Sequence, residues 1–380
     1  MKTLTDYEIQ GLNSPCNLAD GHAYHFISEI APGFESSLPL VWAQSEKTLI
    51  GDAEARFLEA FARLIDVPQL VKHTGFRFAP TSSNSIDIAA AYLAENAPRV
   101  LLVEPTFDNL ALLLRRRGCK LISLDEYLLH AALAEDRVGD LLAQYEFDAL
   151  FLVNPNNPSG KLISRYAFAS VVDHCGKAGK LLVLDSTFRL YAKTPIADYP
   201  VLLNSDAEYI VIEDTGKTWP THDLKASLMV YSKGLQRALE IIFDEIYLCH
   251  SRFSLLMFAQ LFDVTRQQGI SETIHLPIAR RHALLQSALA QTPLQAVGDR
   301  DQTQMPLEWI ATDNLGPDSP SLRAQALFAE HGVHVLPGRP FYWSGGHKDV
   351  NFIRVSLAKP LDQVQRSIDR LQQIWCPTNV

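Results

Sequence analysis

The stretch Val211-Ile-Glu-Asp214-Thr-Gly-Lys217-Thr-Trp-Pro-Thr-His-Asp-Leu-Lys225 continues an apolar run that begins at Tyr209. Tyr209 to Ile212 shows no polar face, the pattern of a parallel strand buried on both sides. The carboxyl ends of such strands are where open α/β sheets keep their chemistry. Lys217, just past this end, reads either as an ordinary loop residue or as a nucleophile, and the rest of the chain decides between the two.

Outward from Lys217 the chain alternates short apolar runs with amphipathic stretches. Val100–Val103, Leu121–Leu124, Ala149–Val153 and Leu181–Leu184 read as strands, with helices at Asn109–Arg117 and Arg165–Lys177. Upstream, Ala55, Leu58, Phe61, Ala62 and Ile65 recur at three- and four-residue spacing and predict a helix over Asp52–Val67. Ile86 to Ala94 predicts another. This alternation predicts an α/β fold, a mainly parallel sheet covered by helices on both sides. Past a further strand, Leu228–Tyr231, the pattern turns helical from Leu235 through Phe262 and again from Ser271 to about Gln291. Strands at Trp309–Thr312, Val333–Leu336 and Phe352–Leu357, with helices at Ser319–His331 and Leu361–Trp375, then predict a small α+β domain. The expected division is an N-terminal arm or lid over 1–45 that joins the small domain, a large domain over 46–270 and a small C-terminal domain over 271–380.

Composition bounds the function. The 380 residues are 47% hydrophobic, enough to bury a large core and to form two domains. A net charge of −9 without any basic block argues against nucleic acid or an anionic membrane as partner and favours a small molecule. Five scattered cysteines, Cys16, Cys119, Cys175, Cys249 and Cys376, contain no Cys-x-x-Cys and suggest neither a disulfide framework nor a zinc site. The N-terminus has no leader-like apolar run, and no stretch approaches the ~20 residues of a membrane span. A soluble, cytoplasmic protein is expected.

Polar motifs follow the predicted strands. They are Glu104-Pro-Thr-Phe107-Asp-Asn109, Asn154-Pro-Asn-Asn157-Pro-Ser-Gly160, Asp185-Ser-Thr187-Phe188-Arg and Asp214-Thr-Gly-Lys217. Thr81-Ser82-Ser83 opens a helix, either as plain N-capping or as a phosphate site, since that terminus carries free N–H groups and partial positive charge. Taken together they suit pyridoxal phosphate. Lys217 can form the Schiff base, and Asp185 can keep the ring nitrogen protonated so that the ring absorbs electrons. Asn157 can bond the ring hydroxyl, Phe107 can stack on the ring, and Thr81, Ser82 and Ser83 can hold the phosphate.

In order and spacing these residues resemble the fold-type I, aspartate-aminotransferase-like enzymes that depend on pyridoxal phosphate. Asn157, Asp185 and Lys217 follow one another at intervals of 28 and 32 residues, within motifs that cover nearly the whole chain. The resemblance implies that Arg354, in Asn351-Phe-Ile-Arg-Val-Ser-Leu-Ala, binds a substrate α-carboxylate, a role that suits a planar guanidinium. The chain departs from that pattern at three positions. Phe188 stands where a tyrosine is usual, Lys225 where a phosphate-binding arginine is usual, and Asp214 where a serine is usual.

A narrower resemblance accompanies the departures. Asn17-Leu-Ala-Asp-Gly-His-Ala, Leu38-Pro-Leu-Val-Trp-Ala-Gln-Ser-Glu46, Pro105-Thr-Phe-Asp-Asn109 and Ile212 to Lys225 are similar to strings of the O2- and pyridoxal-phosphate-dependent L-arginine oxidases. That group, from enduracididine, indolmycin and azomycin biosynthesis, includes a hydroxylase and desaturases. The resemblance implies that Glu8 and Asp214 hold the substrate guanidinium and that Asp20 and His22 close over it. It sets Thr187 as a hydroxyl near the cofactor; to this is added the hypothesis that His22 positions or activates water, and Lys225 keeps a charge where the wider family has its phosphate-binding arginine. It implies O2 as co-substrate, with no metal needed because the cofactor carbanion is itself the reductant, and the wider fold-type I resemblance implies a homodimer. The expected products are dehydroarginine and its oxo acid (a 3-enoate) or 4-hydroxy-2-oxoarginine, with 2-oxoarginine from partial oxidation. The rivals are an aminotransferase for a basic amino acid and a catalytically dead binding protein of the same fold.

Overall fold

The computed structural model describes residues 2–313, 320–346 and 350–375, so Ser319 and Cys376 lie outside the described residues. Seven strands form the large sheet: β1 (Phe76–Ala79), β2 (Arg99–Glu104), β3 (Lys120–Asp125), β4 (Ala149–Val153), β5 (Leu181–Asp185), β6 (Tyr209–Asp214) and β7 (Ser227–Tyr231), in the order β1-β7-β6-β5-β4-β2-β3. Neighbours from β3 to β6 pair in parallel, and β7 runs antiparallel to both β6 and β1. Every residue of β4, β5, β6 and β7 is buried, as the absence of a polar face requires. The register sets Val153 opposite Asp185 and Asp185 opposite Ile212. The segments that leave β2, β4, β5 and β6 therefore emerge side by side at one edge of the sheet.

A second, antiparallel sheet holds β8 (Gln295–Ala296), β9 (Leu307–Ala311), β10 (Leu336–Pro337) and β11 (Phe352–Ser356), in the order β10-β11-β9-β8. Its own apolar cluster includes Ile310, Phe328, Val335, Ile353 and Val355, and takes in Cys16 and Leu18 from the N-terminal segment. The backbone stitches that segment down. Leu18 N–H donates to the carbonyl of His334 (2.8 Å) and Ser356 N–H to that of Leu18 (2.7 Å). A third, small cluster buries Leu4 with Ala19, Trp309, Leu336 and Phe341.

Three expectations differ from the structure. The helical run from Leu235 to Phe262 is two helices, Gln236–Tyr247 and Arg252–Gln268, broken where Leu248 adopts φ 57°. A left-handed residue ends the first helix because its carbonyls can no longer follow the spiral. The expected strand Val333–Leu336 is reduced to Leu336–Pro337, since the backbone of His334 pairs instead with Cys16 and Leu18 of the N-terminal segment. Arg77 interrupts the short run that forms β1, which the apolar pattern did not mark. No described helix is long and apolar enough to cross a membrane.

Candidate active site

Lys217 sits on the turn that follows β6. Its backbone is fixed from three sides. The hydroxyl of buried Tyr191 donates to the Lys217 carbonyl (2.7 Å), and Ala23 N–H donates to that of Gly216 (3.0 Å). Trp219 is buried two residues on, with its indole N–H on Thr265 Oγ1 (3.1 Å). The Lys217 side chain itself is half-buried, and among the described residues its Nζ makes neither a hydrogen bond nor an ion pair. It lines a cavity shared with Glu8, Asp185 and Arg354.

Around that cavity the sheet supplies Asp185, Thr187, Asn157 and Phe107, the helix Ser82–Asn96 supplies Ser82 and Ser83, and β11 supplies Arg354. Asp185 closes β5 and is buried. Burial pushes its pKa above the usual carboxylate range, against the Thr187 N–H that donates to its Oδ1 (2.9 Å). A carboxylate so desolvated gains from a cation, and a protonated pyridine nitrogen is one. The Thr187 hydroxyl is buried without a partner and is likewise free for a ligand. These residues fit pyridoxal phosphate.

At the far end, Thr81 is spent as the N-cap of its helix, accepting Asn84 N–H (3.3 Å), so of the three hydroxyls only Ser82 and Ser83 face the cavity. Asn109 donates to Ser83 Oγ (3.1 Å). Asp214, expected against the substrate, does not line this cavity. Its Oδ2 accepts Ser82 N–H (2.9 Å) and its Oδ1 accepts Gly216 N–H. A carboxylate at a helix N-terminus is stabilised by the free N–H groups and the helix dipole, which explains why it turns that way.

Arg354 is fully buried on the opposite wall. Its Nη2 donates to the carbonyl of Ala19, its Nη1 lies 3.4 Å from Asn157 Oδ1, and its Nε has no partner. Burial lowers its pKa, with Glu8 and Asp20 opposing. Glu8 reaches the same cavity from the N-terminal helix Leu4–Gly11 and stands 3.8 Å from Arg354, at the long limit of an ion pair. Burial raises its pKa, while Arg354 and Lys217 pull it down.

The remaining expected residues form a chain beside the cavity instead of lining it. His22 Nδ1 donates to Asp20 (2.6 Å), and its Nε2 meets the Lys225 ammonium at 3.0 Å. Burial and the charge of Lys217 depress the His22 pKa, while the hydrogen bond and charge of Asp20 oppose them. Burial acts to raise the pKa of Asp20, but the hydrogen bond and charge of His22 outweigh it and hold Asp20 well below the usual range. Lys225 is thus tied to the arm and does not line the cavity where the cofactor phosphate was expected to meet it. Its stem crowds Gly216, where a Cβ would lie 2.9 Å from Lys225 carbons.

Some residues here went unmarked in the sequence. Lys359 is buried, donates to the His22 carbonyl (3.4 Å) and lies 4.3 Å from the Tyr24 ring centre, a cation–π contact that holds the arm. Burial brings its pKa down to about 8. Gly21, Thr106 and Asn109 complete the cavity wall. Asn109 stood inside a quoted motif, whereas a lone lysine five residues past Arg354 carried no signal. Among the described residues no group of three or more histidine, cysteine, aspartate or glutamate side chains could hold a metal.

Comparison with known proteins accords with this arrangement. The profile of aminotransferase class I and II matches residues 46–371. The structure of MppP soaked with the product 2-ketoarginine aligns over 94% of this chain and 99% of that one, with a TM-score of 0.83 and 27% identity. Aspartate aminotransferase from Thermus thermophilus with maleate aligns over 98% and 97%, with a TM-score of 0.75 and 16% identity, a likeness of fold. In sequence, LL-diaminopimelate aminotransferase of Lawsonia intracellularis (strain PHE/MN1-00) is 24% identical over 242 residues, 60% of this chain. The match spans 56% of that relative, little more than half its length. With a family profile covering most of its length and a fold-type I architecture throughout, the chain belongs to aminotransferase class I and II, a family of pyridoxal-phosphate-dependent enzymes.

Proposed function

We propose that the protein oxidises free L-arginine with O2. The observation that carries this reading is Glu8, a carboxylate brought into the cavity by the N-terminal helix and paired there only loosely with Arg354. A half-buried carboxylate in that state gains from a cation on the substrate, and a guanidinium offers one with two parallel donors. Arg354, with an unpartnered Nε, takes the α-carboxylate. The structural likeness to MppP, soaked with 2-ketoarginine, supports the same substrate.

Bound pyridoxal phosphate supplies an electron-accepting ring. With the cofactor bound, Asp185 would hold a proton on that ring's nitrogen, Asn157 would bond its hydroxyl and Phe107 would stack on its face, while the Ser82 and Ser83 hydroxyls would hold the phosphate. Lys217 Nζ, free of other partners, takes the proton from the arginine Cα. The substrate then loses two electrons, which reduce O2 to H2O2, and hydrolysis releases 2-oxoarginine and ammonia. Loss of two more electrons to a second O2 gives the 3-enoate, and addition of water at C4 gives 4-hydroxy-2-oxoarginine. His22 serves the water-adding branch only when Lys225 leaves its Nε2. His22→Ala should therefore shift product away from the 4-hydroxy acid; an unchanged product ratio removes His22 from the chemistry.

The family and the LL-diaminopimelate aminotransferase match favour a second reading, transamination of a basic amino acid. Mass spectrometry of the product formed from L-arginine in air, without any oxo acid added, separates the two. The oxidase yields the oxo, enoate or hydroxy acids; the aminotransferase yields none until an oxo-acid acceptor is supplied. Arg354→Lys should raise KM for arginine by about tenfold or more, since an ammonium replaces the bidentate fork. An unchanged KM would place the α-carboxylate elsewhere.

A further inference from the structure

We infer that Asp108 is the residue that docks the N-terminal helix Leu4–Gly11 over the cavity and thereby places Glu8 in it. This rests on the substrate reading above for the role of Glu8, but not for the docking itself. Asp108 Oδ2 accepts the N–H of Leu4 (2.9 Å) across 104 positions of sequence. Leu4 opens its helix after the N-cap Thr3, so its N–H is one of those left without an intrahelical acceptor. The capping box of Thr3 and Asp6 satisfies other N–H groups of that turn and leaves this one to Asp108. The same residues are joined by packing. Leu4 is fully buried in the cluster of Ala19, Trp309, Leu336 and Phe341, and Phe107, the neighbour of Asp108, packs against it. Phe107 also lines the cavity, as does Glu8. One short segment, Phe107-Asp108, thus faces the reacting space with the first side chain and anchors the substrate-facing helix with the second.

The state of Asp108 says which atom matters. It is 6% exposed, and its Oδ1 is buried without a partner. Burial pushes its pKa up to about 6; the N–H groups of Leu4 and Asn109 lower it and the charge of Asp6 raises it. Docking therefore uses one acceptor oxygen, and the negative charge adds a desolvation penalty. An amide keeps the acceptor without the charge; a methyl group keeps neither.

The test compares Asp108→Asn and Asp108→Ala as holoenzymes by amide hydrogen exchange over residues 4–12 and by steady-state kinetics with L-arginine. Asp108→Ala should speed exchange in that segment and raise KM, each by about tenfold, with kcat far less affected. Asp108→Asn should keep both near the wild-type values, which also shows that the site tolerates substitution. Equal damage from both variants, or unchanged exchange in Asp108→Ala, overturns the inference. Faster exchange with an unchanged KM upholds the docking and overturns the role of Glu8 toward arginine, so the two failures are told apart.

Discussion

Lys217→Ala should lower kcat for L-arginine by about 10^4-fold while the protein keeps its fold. The basis is local. Lys217 Nζ is the one amine that lines the cavity among the described residues, and no partner there occupies it. A positioned base contributes about 10²–10⁴ in rate, and loss of covalent attachment to the cofactor adds to that. The turn itself does not depend on the side chain, because Tyr191 and Ala23 hold its carbonyls and Trp219 fills the space beneath. Thermal unfolding should therefore match wild type. Borohydride reduction followed by peptide mass spectrometry should attach pyridoxal phosphate to the Lys217 peptide of the wild type and to no peptide of the variant. Activity within tenfold of wild type would remove Lys217 from the chemistry.

Asp185→Asn should cost about 10²–10³-fold in kcat and should not cost stability. The amide keeps an acceptor for Thr187 N–H but cannot hold a proton on a ring nitrogen by charge. In the cofactor-free protein burial raises the Asp185 pKa above its unfolded value. The stability it contributes is full below the ordinary carboxylate value of about 4 and is lost as pH rises through the raised value. Cofactor-free Asp185→Asn should thus gain on cofactor-free wild type as pH rises from about 4, and the gap should close in acid. Denaturant unfolding at several pH values measures it. A variant less stable than wild type at neutral pH would mean that Asp185 has a cationic partner of its own.

Much of this site was legible because parallel strands are apolar throughout, so the first polar residues after each one stand out. Phe107, Asn157, Asp185 and Lys217 were found that way, and the register brings their segments to one edge. Arg354 and Glu8 needed the motif likeness, since each is a single charge in an unremarkable element. What the sequence did not show was how the charged groups choose partners. Asp214 turns to the N–H groups of Ser82 and Gly216, and Lys225 turns to His22, because those donors and acceptors are nearest in space and remote in the chain. Asp108 and Lys359 escaped notice for the same reason. Each acts on the N-terminal arm, whose course over β11 and the Lys217 turn no periodicity announces.

The arm gives the site its character. It brings Glu8 and Gly21 to the cavity, and it takes Lys225 away from it through His22. The large sheet supplies residues common to the family, whereas the arm supplies Glu8, the carboxylate proposed above to select a cationic substrate. The most direct measurement of the central claim is O2 consumption by the purified holoenzyme on addition of L-arginine, with no oxo acid present. Sustained O2 uptake with arginine, abolished in Lys217→Ala and weakened in Glu8→Ala through KM, is the expected result. No O2 uptake, together with amino transfer to an added oxo acid, would contradict it.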